Sequence, residues 1–177
     1  GVAGGANIPF TVPYANAPVT FKFVSATNTP SVLVGHNPDG NVEYDGLGHD
    51  SQDGLYRVPF GAVTIGTTVT VRFRTFANDV TGVTARVWNT AVNAESMIPL
   101  TRVASNEDCR VAALATDRCD YWQMQLHPTQ RGVLYYRFII VDGASTAYYA
   151  DDGMFDGGWG TATPDMLDRS YPIVVYE

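Results

Sequence analysis

The chain has 177 residues, enough for one domain with an extension, and a hydrophobic share of 45% that suits a packed core rather than wholesale disorder. Its net charge of −7, with only 11 Lys and Arg, disfavours nucleic acid as a partner, because phosphate binding needs a basic surface; a neutral ligand fits better. No apolar run approaches the ~20 residues of a membrane-spanning helix, and without a leader-like start we expect any signal peptide to have been removed.

Residues 1–36 are predicted to form an extension in front of a main domain at 37–177. The extension opens with a Gly-, Ala- and Pro-rich stretch whose first residues we expect to be flexible. Val19, Phe21 and Phe23 then alternate with polar residues, which predicts a strand. The segment at 32–34 is its predicted hairpin partner.

The main domain is predicted to be an all-β, immunoglobulin-like antiparallel β-sandwich. Apolar and polar residues alternate with a period of two in short segments that turn-forming residues separate, a pattern typical of strands in a sandwich. The predicted strands cover 69–76, 83–88, 121–126, 134–141, 147–150 and 171–176. The Gly- and Asp-rich segment 151–170 is predicted to be a long loop.

The aromatic residues of these strands divide between the two faces. Trp122, Tyr136 and Phe138 lie in the apolar rows and are predicted to be core. Trp88 and Tyr135 are out of phase with their apolar neighbours, which places them on the wet face, where a flat ring can bind the apolar face of a sugar.

Three further aromatic residues leave their orientation open. Tyr148 and Tyr149 are adjacent, so one of the two faces outward. Trp159, among glycines in the long loop, is either a binding tip or a plug that holds the loop.

An ordered set of motifs resembles a known family. In order along the chain it comprises Asn-Val-Glu-Tyr-Asp-Gly-Leu-Gly-His-Asp at 41–50, the strand at 69–76 with Asp79 at its turn, Trp88, Asp120-Tyr121-Trp122, Leu134-Tyr135-Tyr136-Arg137-Phe138, Asp142-Gly143 and Ala147-Tyr148-Tyr149. In this order and spacing the set resembles the amino-terminal domain of neopullulanase-type α-amylases, which is carbohydrate-binding module family 34 attached to glycoside hydrolases of family 13. The resemblance covers about 37–177. Residues 1–36 fall outside it, and 103–118 looks like an insertion.

The resemblance implies a function, to which two alternatives remain open. It implies a non-catalytic domain of a secreted, extracellular hydrolase that binds α-glucans such as starch, pullulan and maltooligosaccharides. The catalytic barrel would follow on the same polypeptide, since a barrel needs ~250 residues and cannot lie within this chain. The sugar-contacting aromatics would be Trp88, Tyr135 and Tyr171, although Pro172 disturbs the alternation beside Tyr171. Alternatively, these rings shield the sheet, or the domain has no sugar affinity and packs on the barrel or a partner subunit.

The resemblance also implies a structural calcium site. Calcium binds 6–8 oxygen ligands, which acidic turns supply. The implied ligands are the side chains of Asp39, Asn41, Asp79 and Asp142, with the backbone carbonyl of Asn37. Local hydrogen bonding within turns would favour the same residue types. A second acidic group, at Asp151, Asp152 and Asp156, is interpreted as a solvated loop.

The cysteines and histidines give no sign of catalysis. Cys109 and Cys119 either form a disulfide that closes a short loop or remain as buried thiols. His36, His49 and His127 have no metal-ligand spacing. No Ser or Cys lies in a nucleophile-elbow motif, so we expect no intrinsic catalysis.

Overall fold

The computed structural model describes residues 8–10, 19–21, 38–154, 157–165 and 169–177, the first two segments through their backbone alone. The chain divides into two compact units, Gly1–Val34 and Gly35–Glu177. In the first unit, β1 (Ile8–Phe10) pairs antiparallel with β2 (Val19–Phe21). The strand predicted around Val19 is therefore present with β1 as its described partner, while Phe23 and the predicted partner at 32–34 lie outside the described residues.

The described residues of the second unit form eleven strands and two short 3-10 turns. The strands are β3 (Arg57–Val58), β4 (Val63–Thr64), β5 (Val69–Phe76), β6 (Gly82–Asn89), β7 (Ala94–Pro99), β8 (Thr101–Asp108), β9 (Arg118–Leu126), β10 (Gly132–Asp142), β11 (Ser145–Asp151), β12 (Gly160–Thr163) and β13 (Tyr171–Tyr176). The turns are Tyr44–Gly46 and Ala112–Leu114. The described segments contain no α-helix, and none of their helical turns has the length and apolarity to cross a membrane.

The strands of this unit form a two-sheet sandwich, as predicted. One sheet has seven strands, and its central strand β10 pairs with β6, β11 and β13. Each of these three strands pairs with one further strand: β6 with β7, β11 with β12, and β13 with β4. The other has four strands in the order β3-β5-β9-β8. Every pairing is antiparallel except that between β13 and β4, which is parallel. The all-β, immunoglobulin-like prediction is confirmed.

The core lies between the facing rows of the two sheets. Val69, Val71 and Phe73 of β5 are fully buried, and the Phe73 ring centroid is 4.5 Å from that of Phe138 on β10. Tyr136 is also fully buried, and Trp122 is buried in the same cluster. The three aromatics predicted as core are confirmed.

Five described strands of the second unit were not predicted from the sequence, two of them the two-residue strands β3 and β4, and one arginine is placed differently. β12 lies inside the segment predicted as a long loop, and the predicted insertion at 103–118 contains most of β8. β7 and β8 are edge strands with few buried residues, so they lack the alternation that reveals a half-buried strand. Alternation along β5 places Arg74 opposite the apolar row and so predicts exposure, but Arg74 is buried, and its guanidinium donates to the carbonyls of Gly46, Leu47 and Cys109.

Cys109 and Cys119 form a disulfide, so the bridged alternative is the correct one. Both residues are fully buried in a small cluster with Tyr56, Phe76 and Tyr121. The bridge closes a loop that spans ten positions of sequence. Loop closures of this size typically contribute about 2–4 kcal/mol to the free energy of unfolding.

A neutral histidine lies at the centre of the aromatic core. His49 is fully buried, with Nδ1 2.7 Å from the Arg72 carbonyl and Nε2 2.9 Å from the Tyr136 hydroxyl. Because a carbonyl only accepts, Nδ1 carries the hydrogen and Nε2 accepts from Tyr136. Burial, opposed in part by the hydrogen bond to the Arg72 carbonyl and helped by the nearby charge of Arg57, lowers the pKa of His49 to about 3. Protonation of Nε2 would break the Tyr136 hydrogen bond and leave a buried charge.

We predict that this histidine makes the domain sensitive to mild acid. Its pKa is 6.5 when unperturbed and about 3 when folded, so between these values the unfolded chain binds a proton that the folded chain excludes. The stabilisation is complete above pH 6.5 and is lost as pH falls, with a slope approaching about 1.4 kcal/mol per pH unit. Urea denaturation at pH steps from 7 to 5 measures this slope.

His49→Gln should reduce the slope by about that amount, whatever its effect on stability at pH 7. His127 is exposed and bonds to the Thr68 hydroxyl, so His127→Gln is the matched control and should leave the slope unchanged. Identical slopes in wild type and His49→Gln would contradict the account.

Candidate functional site

Trp88 and Tyr135 lie side by side on the outer face of the seven-stranded sheet. The register of β6 and β10 places Tyr135 directly opposite Trp88, and on its other side Tyr135 faces Pro172 of β13. The residues that alternate with them, such as Val87 and Tyr136, are buried in the core. Side chains opposite one another in a sheet are roughly 5 Å apart at Cβ, so the three form one continuous flat row.

An open groove of about 510 Å³ lies over Trp88 and Tyr135. The described residues that line it are Arg86, Trp88, Tyr135, Asp151, Gly153, Arg169 and Ser170. Tyr135 is 39% exposed and Trp88 is partly exposed, so both rings are accessible to a ligand. The groove therefore combines two aromatic rings with hydrogen-bonding groups.

Ion pairs and hydrogen bonds fix the positions of the charged side chains that line the groove. Arg86 forms an ion pair with Glu95 of the neighbouring strand, and the Arg169 guanidinium donates to the Asp152 carbonyl. Gly153 has a φ of +73°, a backbone conformation that favours glycine, and the Arg169 guanidinium lies over it. Asp151 is buried and accepts hydrogen bonds from the backbone N–H groups of Gly153 and Gly157.

These polar residues were missed by the sequence interpretation, with the partial exception of Arg86. Arg86 shares the outward phase of Trp88 on β6, so the period-two pattern alone could have found it. Arg169 and Ser170 precede β13 in a loop, where no periodic pattern identifies them. The prediction of Asp151 as part of a solvated loop was wrong, because its carboxylate is buried as a hydrogen-bond acceptor for that loop.

Tyr171 does not belong to this surface, which corrects the prediction that it contacts sugar. Its side chain is fully buried, stacked on Tyr136 at a centroid distance of 5.3 Å and edge-on to His49 at 4.7 Å. The alternation of β13 is undisturbed by Pro172, since Tyr171, Ile173 and Val175 point inward and Pro172 and Val174 outward. Burial raises the pKa of Tyr171.

The structure resolves the alternative between Tyr148 and Tyr149, whereas Trp159 is both exposed and packed. Tyr149 is buried in the core and Tyr148 is the partly exposed member of the pair. The Trp159 ring is 44% exposed while one side of it packs against Tyr56.

Two of the residues predicted to bind calcium converge on one loop. The Gly40 N–H donates to Oδ2 of Asp142 at 2.6 Å, and the Glu43 N–H donates to Oδ2 of Asp79 at 3.3 Å. Both carboxylates are fully buried, and the second oxygen of each has no hydrogen-bond partner among the described residues. Leaving such an oxygen unsatisfied is costly, and a bound cation would relieve the cost.

The other three predicted calcium ligands are Asn37, Asp39 and Asn41. Asp39 and Asn41 lie in the same loop and are exposed, and Asn37 is outside the described residues. Within the described ranges, no group of three or more His, Cys, Asp and Glu side chains converges enough to hold a metal ion by itself. The orphaned oxygens of Asp79 and Asp142 fit calcium, but a full coordination shell would also need amide and carbonyl oxygens from the 37–41 segment.

Comparison with known proteins places the chain. Residues 57–171 match the family model described as the alpha amylase N-terminal Ig-like domain. The chain belongs to this family. The predicted resemblance to the amino-terminal domain of neopullulanase-like enzymes is thereby confirmed.

Individual relatives agree with this assignment. The chain is 34% identical over 186 residues to an amylopullulanase of Thermoanaerobacterium saccharolyticum and 32% identical over 185 residues to one of Thermoanaerobacter thermohydrosulfuricus. Each match covers 100% of the chain, including the first 36 residues, but only 13% and 12% of the relative. A solved cyclomaltodextrinase aligns with a TM-score of 0.51 and 20% identity over 73% of this chain and 19% of that one, which supports the fold alone.

Proposed function

We propose that this domain binds α-glucans without catalysing their hydrolysis and serves as the N-terminal module of a secreted enzyme of the amylopullulanase or neopullulanase type. The partners in this proposal are starch, pullulan or maltooligosaccharides and a catalytic barrel on the same polypeptide. The observation that carries the proposal is the in-register pair of Trp88 and Tyr135 on the outer face of the seven-stranded sheet.

The geometry suits a pyranose ring. A glucose unit has C–H faces that pack on flat aromatic rings and a rim of hydroxyls that form hydrogen bonds. Trp88, Tyr135 and Pro172 provide the flat surface. Arg86, Arg169 and Ser170 border the same groove and supply donors at its rim.

The chemistry of the groove supports binding rather than hydrolysis. Glycoside hydrolysis generally uses two carboxyl groups that flank the scissile bond. Of the groove residues described, the only acidic one is Asp151, and its two oxygens accept the N–H groups of Gly153 and Gly157. The module would act by tethering, which raises the local concentration of polymer near the linked catalytic domain.

The proposed secretion is supported by the disulfide. Cys109 and Cys119 are bridged within the core, and structural disulfides persist in oxidising compartments. Two curated relatives are named amylopullulanases, which agrees with a parent enzyme that acts on such polymers.

We predict that maltohexaose perturbs the Trp88 ring and that Tyr135→Ala weakens the interaction. The chain has three tryptophans, Trp88, Trp122 and Trp159, so ¹⁵N-labelled protein gives three indole N–H signals that report on separate places. The Trp88 signal should shift and saturate. Tyr135→Ala should raise the Kd read at that signal by about tenfold, or about 1.4 kcal/mol, because half of the aromatic surface is removed.

The controls for this titration come from the same chain. Tyr176 is 50% exposed and lies on the same outer face as Tyr135 but outside the groove, so Tyr176→Ala should leave the Kd unchanged. The Trp122 indole donates to the Thr75 hydroxyl inside the core, and its signal reports that each variant is folded. A Trp88 signal that stays fixed at high maltohexaose concentration would refute the proposal.

A second candidate function is supported by a different surface. Ile65, Val174 and Tyr176 are exposed and adjacent, since the Ile65 N–H donates to the Tyr176 carbonyl and Val174 is on the same strand face as Tyr176. Such an apolar patch suits a domain that packs on a catalytic barrel or partner subunit and has no affinity for sugar. In that case neither maltohexaose nor insoluble starch would bind the chain.

We also propose a structural calcium ion held by Asp79 and Asp142, with Asp39, Asn41 and the Asn37 carbonyl as further ligands. The two orphaned, fully buried carboxylate oxygens support the proposal. The ion would supply positive charge where the 40–43 loop meets the Asp142 turn and would fix that loop to the sandwich.

We predict that calcium raises the thermal midpoint of unfolding relative to EGTA, since a ligand that binds only the folded state stabilises it by about 2.7 kcal/mol at one hundred times Kd. Asp142→Asn keeps the side-chain shape and an acceptor for the Gly40 N–H but removes the ligand charge, so the calcium-dependent increment should vanish. Asp151→Asn, at a buried carboxylate whose oxygens are both hydrogen-bonded, is the control that should keep the increment. Equal midpoints of wild type in calcium and EGTA would contradict the proposal.

A further inference from the structure

A second open groove lies at the β12 edge of the seven-stranded sheet, and none of its described lining residues also lines the groove over Trp88. Its volume is also about 510 Å³. Of the three aromatic residues described in its lining, Tyr149 is buried, whereas Tyr44 is 41% exposed and Trp159 is 44% exposed. Neither the family resemblance nor the phase of the strands assigned a role to this place.

The Trp159 ring is exposed and also held in position. Its loop is fixed by two hydrogen bonds with Ser51, whose N–H donates to the Gly158 carbonyl at 3.0 Å and whose hydroxyl accepts from the Gly158 N–H at 2.9 Å. One side of the ring packs edge-on against Tyr56 at 5.5 Å, and the Arg74 guanidinium lies 5.8 Å from the ring centroid. A ring fixed in this way loses little conformational entropy when a ligand covers its free side.

Arg74 connects the walls of this groove. Its guanidinium donates to the carbonyls of Gly46 and Leu47, next to the Tyr44–Gly46 turn, and to the carbonyl of Cys109 at 3.1 Å. These hydrogen bonds hold the backbone segments around the groove together. The same guanidinium makes a cation–π contact with the Trp159 ring.

The segment at 103–118, which the sequence interpretation could only describe as an insertion, supplies part of the wall. Val111 lines the groove and follows Cys109, whose buried disulfide with Cys119 closes this loop. Val111 of this segment and Trp159 are not among the described residues of the groove over Trp88, and both line this second groove.

We propose that this groove is a second binding site for an α-glucan chain. Tyr44 and Trp159 would pack on the C–H faces of glucose units, and Asp45 and Thr161, which also line the groove, would bind their hydroxyls. The chain's net charge of −7 and the position of Asp45 disfavour an anionic ligand. The identity of the ligand rests on the proposed function, whereas the groove stands on its own geometry. Two sites would let the domain hold one polymer at two points.

The experiment is the maltohexaose titration of the 177-residue chain, followed at each indole signal. The Trp159 signal should shift and saturate, and it should do so equally in Trp88→Ala, because Trp88 lines only the other groove. Tyr44→Ala should raise the Kd read at Trp159 by about tenfold and leave the Kd read at Trp88 unchanged. Tyr176→Ala is again the matched control, and the buried Trp122 signal again reports on folding.

The outcomes separate the two proposals. A fixed Trp159 signal with a shifting Trp88 signal overturns the second site and leaves the first. A shifting Trp159 signal with a fixed Trp88 signal overturns the first site and supports the second. A Trp159 shift that Tyr44→Ala does not weaken overturns the assignment of this groove, because the ligand would then lie elsewhere on the ring.

Discussion

The candidate site depends on one constraint, the inward phase of strand β10. Tyr136 and Phe138 are both fully buried, and Tyr136 donates its hydroxyl to the neutral His49 at the centre of the core. Because side chains alternate with a period of two, a slip by one residue would turn Tyr135 and Arg137 toward the space between the two sheets in their place. Because β6 pairs with β10 in register, Trp88 lies opposite Tyr135 and points to the same outer face. The packing of the core therefore determines that these two rings face outward.

Residues whose environment is set by strand phase could be predicted from sequence. Trp88, Tyr135, Tyr136 and Phe138 lie on the predicted faces because each strand has one buried row that identifies the other. Tyr171 shows the reverse case. Ile173 and Val175 share its phase and are buried, so the pattern of β13 alone indicates burial, and the family resemblance led to the wrong face.

Features that depend on contacts distant in sequence could not be predicted. The edge strands β7 and β8 bury few side chains and therefore show no alternation, and β12 is a short strand that pairs with β11 from within a glycine-rich loop. Arg74 is buried by the 46–47 loop and by Cys109, neither of which its own strand reveals. Both grooves take part of their lining from such segments, which explains why sequence alone identified only the aromatic floor of one of them.

The family assignment gives the domain its context, and the exposed aromatic row is the basis of the proposed glucan binding. The central claim is that this row, fixed outward by the core, is the surface on which glucose units lie. A crystal structure of the chain with bound maltohexaose tests this claim most directly. The account predicts a glucose ring packed flat over Trp88 and Tyr135 with hydroxyls bonded to Arg86 or Arg169. Sugar bound elsewhere on the domain while both of these rings remain open to solvent would contradict it.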